Sequence, residues 1–240
     1  MRGGLFLMKN KVPVMIEKIK WAAALLVLAG IIYGSYTLSR YVSVAGVAGQ
    51  RAEVVIDAGH GGADPGKIGV NDRLEKDINL EIALKLKECL EKENISVILT
   101  RESDEEVEKG VTGNKKIADM KARVAMINEI RPQVAVSIHQ NSYPGGEVKG
   151  AQVFFYSHSE KGEKMAAVMQ EALLAVDPEN HRKAKANDTY YLLKRTEVPT
   201  IIVECGFLSN REEAQKLAGE EYQQKLAEAV CEGIKNCLEK

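Results

Sequence analysis

Val54-Val-Ile-Asp57-Ala-Gly-His60-Gly-Gly62 opens on a β-branched run and closes on a histidine flanked by glycines. A short, continuously apolar run of this kind reads as a strand covered on both faces, because a strand with one wet face alternates apolar and polar residues. Working outward, similar runs stand at Ile95-Ser-Val-Ile-Leu99, Val134-Ala-Val-Ser-Ile138, Gln152-Val-Phe-Phe-Tyr156 and Thr200-Ile-Ile-Val203, with a weaker one at Tyr191-Leu-Leu193. Helical stripes lie between them. Ile78, Ile82, Leu86, Cys89 and Leu90 share one face, with Asp77 as the expected cap. Ile117, Met120, Val124, Ile127 and Ile130 form a second stripe that stops at Pro132, Met165 to Leu173 a third, and Tyr222 to Cys237 a fourth. Strands alternating with helices predict an α/β fold: a three-layer α/β/α single domain over residues 53–240 with a largely parallel sheet of about six strands.

The chain ahead of this domain has a different composition. Residues 1–50 carry six Lys/Arg against one acid, leaving 27 Lys/Arg against 33 Asp/Glu in the remainder. The net charge of −1 argues against bulk electrostatic binding, so no nucleic-acid partner is expected. Trp21 to Ser39 is free of charge, and Lys9, Lys11, Lys18 and Lys20 precede it. This pattern predicts a basic cytoplasmic tail (1–20), a transmembrane anchor or signal segment (21–39), a linker (40–52) and a catalytic domain outside the cytoplasm. A cleavable signal peptide has a shorter apolar core, which favours an uncleaved anchor. An exported chain can form disulfides. Cys231 and Cys237 nevertheless fall on different sides of one helix, and buried free thiols are the expectation for most of the four cysteines.

Chemistry collects at the strand ends. His60 follows the first strand, His139 ends the third, and Glu204 follows Thr200-Ile-Ile-Val203. In open α/β sheets the ligand crevice lies outside the carboxyl ends of the strands, so these three converge on one edge. An open catalytic zinc site takes three protein ligands, commonly two histidines and a carboxylate. His60 and His139 supply two. Glu75, at the end of the loop after the first strand, is the best third, with Asp57, Asp64 and Asp72 as alternatives on spacing. Asp57 could instead orient a ligand histidine from behind. With Glu75 on the metal, Glu204 remains as general base toward a metal-activated water. An acid directly after an apolar strand needs a partner or a role, because burying it unpaired is costly.

Rival readings are weaker. Gly61-Gly-Ala-Asp-Pro-Gly-Lys67 has the spacing of a phosphate-binding loop, but Ile68 stands where a hydroxyl residue is needed. Cys205 with His139 would suit a thiol nucleophile, yet neighbours on a strand point opposite ways, so Glu204 in the site sends Cys205 to the core.

The motifs Asp57-Ala-Gly-His-Gly-Gly62, Leu99-Thr-Arg101, Arg123 with Asn128, Ser137-Ile-His139 with Asn141, and Val203-Glu-Cys-Gly-Phe-Leu-Ser-Asn210 resemble the zinc-dependent N-acetylmuramoyl-L-alanine amidases. The resemblance spans about residues 53–237, in order, and is nearest to the spore-cortex branch through Gln140 and Asn187-Asp-Thr-Tyr-Tyr-Leu-Leu193. It implies Zn2+ on His60, Glu75 and His139, Glu204 as catalytic residue, and Gln140, Asn141 and Arg123 toward substrate. It further implies hydrolysis of the amide between N-acetylmuramic acid and the L-alanine of the peptidoglycan stem peptide, with roles in cortex maturation and germination. The site of action would then be the cell wall, or the space between the forespore membranes. No acidic autoinhibitory helix stands at the family's usual insertion place, so control would fall to an activating partner protein or to expression. Two alternatives stay open: a catalytically silent wall-binding scaffold, and a zinc carboxypeptidase using Arg101, Arg123 or Arg195 for a free carboxylate. The basic run His181-Arg-Lys183 with Lys185, and Lys194-Arg195, could also face an acidic stem peptide.

Overall fold

Val54–Ala58 forms β1, buried along its whole length and second from the edge in a six-stranded sheet of order β2-β1-β3-β6-β4-β5. The structure is a computed structural model that describes residues 16–31, 33, 52–109 and 114–238. The other strands are β2 (Val97–Leu99), β3 (Val134–Asn141), β4 (Gln152–Phe155), β5 (Lys185–Ala186) and β6 (Thr200–Phe207). β2, β1, β3 and β6 run parallel, while β4 is antiparallel to β6. The sheet is therefore mixed. A ten-residue loop joins β3 to β4 and stays at one edge, and an antiparallel return needs no helical crossover.

Among the described residues six α-helices complete the domain: α1 (Glu75–Lys92), α2 (Lys115–Ile130), α3 (Glu160–Ala172), α4 (Tyr191–Arg195), α5 (Arg211–Leu217) and α6 (Glu220–Leu238). The alternation of strand side chains divides the core. Val54, Ile56, Val136, Ile138, Ile201 and Val203 join Ile82 and Leu86 of α1, Met169 of α3, and Leu226, Val230 and Ile234 of α6 in one apolar cluster. Each of those large side chains is fully buried, which contributes about 1.5–3 kcal/mol apiece. Val55, Ala135 and Ile202 face the other way, the side on which α2 and α4 pack together.

Three local expectations are corrected. Tyr191-Leu-Leu193 is the start of helix α4, not a strand. Asn187 Oδ1 accepts from the amides of Thr189 (2.8 Å) and Tyr190 (2.9 Å), and this turn feeds the helix that buries Leu192 and Leu193. Asp77 does not cap α1. Leu74 occupies the cap without a side-chain bond, and the first amides, of Glu75 and Lys76, donate to the carbonyls of Lys67 (2.9 Å) and Pro65 (3.1 Å). Cys89 and Cys231 are not free thiols: they form a disulfide between α1 and α6. Cys205 is a fully buried thiol in the core.

Residues 1–49 form a separate unit. Within it residues 16–31 are helical, and that helix opens on Glu17, Lys18 and Lys20. Among the described residues no helix is long and apolar enough to cross a membrane, so the expected span over 21–39 is not supported. Residues 1–15, 32 and 34–51, which hold most of the expected tail, the end of the expected span and most of the linker, lie outside the described residues.

Candidate metal and catalytic site

The adjacent parallel strands β1, β3 and β6 end at one edge of the sheet, and His139 on β3 lies in register with Glu204 on β6. The chain leaves β1 through Gly59, where an added Cβ would stand 2.3 Å from the His139 ring, so only glycine lets the imidazole sit there. His60 follows at φ 61°, a left-handed conformation uncommon outside glycine. The loop then returns over the site to α1. At Gly66, φ 69°, a Cβ would meet Glu75 Oε2 at 2.5 Å.

These turns bring three of the residues read from the sequence together. His60 Nε2 is 3.2 Å and His139 Nδ1 3.0 Å from Glu75 Oε1. One ligand atom from each lies within 4.8 Å of the others, a set that could hold a metal ion. Glu75 is buried, and its oxygens also accept from the amides of Lys67 (2.8 Å) and Gln140 (3.1 Å). Burial alone would raise its pKa; the hydrogen bonds and charge of His139 and His60 outweigh this and hold it well below the usual carboxylate range. Asp64 Oδ2 is 2.8 Å from His60 Nδ1, on the ring nitrogen remote from Glu75. That contact fixes which nitrogen is left for a metal.

Glu204 is also buried. Its Oε1 accepts from Tyr190 Oη at 3.4 Å, and Oε2 has no hydrogen-bond partner among the described residues. Burial raises its pKa, His139 opposes this, and the neighbouring Glu75 charge raises it further. A carboxyl moved toward neutrality in this way is suited to exchanging protons. Cys205, the next residue, points into the core, where burial pushes its pKa up to about 12, so it offers no thiolate nucleophile.

Other expected residues take different places. Arg123 is buried, not open to substrate. Its guanidinium donates to Asp57 Oδ1 (2.7 Å), Asp119 Oδ2 (2.7 Å) and the carbonyls of Ala58 (2.7 Å) and His60 (2.6 Å), so it braces the loop that carries the histidine. Asp57 hydrogen-bonds neither histidine; it accepts from Thr100 (2.8 Å), Ser137 (2.6 Å) and Arg123 and acts on His60 through that arginine. Burial would raise its pKa, but Arg123, with help from Ser137, brings it down to about 2. Gln140 is buried, with its side-chain amide nitrogen 3.2 Å from Asn79 Oδ1, and both Gln140 and Asn141 line the cleft. The sequence reading assigned no role to Tyr190, and it weighed Asp64 only as a metal ligand.

The three residues and Glu204 line a cleft of about 520 Å³, together with Lys67, Lys116, Asn141, Ser142, Tyr190 and Tyr191. A roomier groove of about 750 Å³ between α3 and α6 contains no histidine. Among the described residues no arginine lines this cleft. Arg101 is buried beneath it on the carbonyls of Ala58 (2.9 Å) and Gly59 (3.1 Å), and Arg195 lies over the Tyr191 ring at 5.8 Å. The carboxypeptidase alternative, which needed one there, loses its support. His181, Arg182 and Lys183 line a separate groove with Phe155 and Gln170.

Comparison with known proteins gives a consistent result. The sequence pattern described as N-acetylmuramoyl-L-alanine amidase matches residues 54–236. A germination-specific N-acetylmuramoyl-L-alanine amidase of Bacillus subtilis is 37% identical over 184 residues, covering 75% of this chain and 77% of the relative. The CwlD amidase from Clostridioides difficile, solved in complex with the GerS lipoprotein, superposes with a TM-score of 0.75 at 38% identity, over 79% of this chain and 99% of that one. A second amidase, from Clostridium difficile 630, gives a TM-score of 0.71 at 30% identity, over 79% and 98%.

Proposed function

This chain belongs to the N-acetylmuramoyl-L-alanine amidase family and is such an amidase, and from that premise we propose that it works with zinc on the wall side of the membrane. The observation that carries the proposal is the convergence of His60, Glu75 and His139 around one point, with Glu204 lining the same cleft. Two imidazoles and one carboxylate are a donor set that suits zinc with a coordination position left open. The cradle is shaped for them, since a side chain at Gly59 or Gly66 would collide with His139 or Glu75. Zinc there would polarise the scissile carbonyl and make water more acidic.

The chain's own residues do the rest. Glu204 takes a proton from the attacking water as its oxygen bonds to the lactyl carbonyl carbon. As the carbon–nitrogen bond breaks, the same carboxyl delivers the proton to the alanine nitrogen, which leaves as a free amine. Tyr190 holds Oε1 of Glu204, so the other oxygen faces the reaction. Asp64 and Arg123 hold His60 by its ring and by its carbonyl.

The germination-specific relative supports a place in spore-cortex processing. The basic head and uncharged run Trp21–Ser39 support export. The relative bound to a lipoprotein supports an activating protein partner for this chain too. The test is the product. The zinc-loaded full chain, given intact peptidoglycan, should release stem peptides that begin with a free L-alanine amine, read by mass spectrometry. Release of a C-terminal residue instead, with the muramoyl amide intact, would overturn the reading.

A further inference from the structure

We propose that Lys67 and Lys116 recognise a free carboxylate on the stem peptide, next to the alanine, and so decide which peptidoglycan this amidase prefers; this rests on the amidase reading above. Among the described residues, the two lysines are the Lys/Arg side chains that line the cleft. Several other charged groups nearby are committed. Asp57 is spent on Arg123, Glu75 on the two histidines, and Lys76 turns away to Asp104 (2.6 Å) and the Gly62 carbonyl (2.9 Å). Arg101 and Arg123 lie buried beneath the loop on backbone carbonyls.

Lys67 is anchored and free at once. Its amide donates to Glu75 Oε2 (2.8 Å) and its carbonyl accepts from the Glu75 amide (2.9 Å), which fixes its backbone directly against Glu75. Its side chain is exposed, and the ammonium has no ion pair among the described residues. Lys116 stands in the first turn of α2, where the helix dipole disfavours a cation and where no acid is present. Its ammonium is paired with Asp64, 3.3 Å from Oδ1 and 3.1 Å from Oδ2, so a substrate carboxylate would share it with that acid.

Tyr190, Tyr191, Leu192 and Ile202 line the same cleft. The cleft thus offers cationic and aromatic side chains together. A substrate that joins a sugar to an acidic peptide suits that combination. The residue after alanine in the stem is a glutamate, whose carboxylate is free in some peptidoglycans and amidated to isoglutamine in others. An ammonium forms a charge-assisted hydrogen bond with the first and loses that attraction with the second.

The experiment compares the zinc-loaded full chain on two peptidoglycans, one bearing glutamate and one bearing isoglutamine at that stem position, at equal bound zinc. The wild type should favour the glutamate form by about tenfold in kcat/KM, carried by KM and shrinking as salt is added. In the double variant Lys67→Met, Lys116→Met that ratio should fall to about one, and each single variant should fall between. A double variant that keeps the wild-type ratio, or a wild type that does not distinguish the two forms, would overturn the assignment while leaving the amidase activity standing. A wild type that frees alanine-terminated peptide from neither form would overturn the amidase reading and this inference with it.

Discussion

Asp64 and Glu75 grip His60 from opposite ring nitrogens: Asp64 Oδ2 lies 2.8 Å from Nδ1, and Glu75 Oε1 lies 3.2 Å from Nε2. The first contact sets the tautomer and aims the ring; the second marks where a metal would sit. Asp64 is partly exposed, so its removal should leave the fold intact. Asp64→Ala should weaken zinc binding about 10–100-fold. Asp64→Asn, which keeps an oxygen to accept from Nδ1, should recover part of that loss. Titration against a chromophoric chelator checks both. Unchanged zinc affinity in Asp64→Ala would show that the contact does not position the ring.

Asp57 should make stability pH-dependent in acid. Its folded pKa is held at about 2, below its ordinary value near 4. A depressed carboxylate pKa contributes stability above the unfolded-state value, and that contribution is lost as pH falls through the folded value. Denaturant unfolding should therefore show a loss of about 2 kcal/mol between about pH 4 and pH 2. Asp57→Asn should be less stable at neutral pH and lack that segment of the curve.

Gly59→Ala should disable the site through one methyl group. The added Cβ would stand 2.3 Å from the His139 ring, so the imidazole must move. Zinc should be lost along with peptide release, while far-ultraviolet circular dichroism stays near wild type. Full zinc occupancy in this variant would mean that the loop after β1 yields more easily than its bonds to Arg101 and Arg123 imply.

The disulfide gives a prediction separate from the chemistry. Cys89 and Cys231 are 142 residues apart, so the bond closes most of the domain into one loop. Cys89→Ser with Cys231→Ser should cost about 4 kcal/mol of stability, measured by urea unfolding, because the unfolded chain regains freedom. The pair joins the outer helices α1 and α6, away from the cleft, so zinc affinity should hold.

Much of this architecture was legible in the sequence. Apolar runs and glycine breaks located β1, β3, β4 and β6, and their ends located His60, His139 and Glu204. What stayed hidden was what only three dimensions bring together. An arginine on a helix reads as solvated, yet Arg123 is buried because two acids and two carbonyls surround it. Apolar runs carry no strand direction, so the reversal of β4 was not readable. A run of three residues, Tyr191-Leu-Leu193, is too short to show a period. Cysteine spacing along the chain does not reveal which helices pack, which hid the partner of Cys89.

The most direct test of the account is zinc content read beside peptide release for two full-length variants. Glu204→Gln should bind zinc at one per chain, as the wild type does, and release no alanine-terminated peptide. His139→Ala should lose both. A Glu204→Gln protein that still releases the peptide at the wild-type rate would contradict the proton-transfer role given to Glu204, and a His139→Ala protein that holds zinc as tightly as wild type would contradict the ligand set.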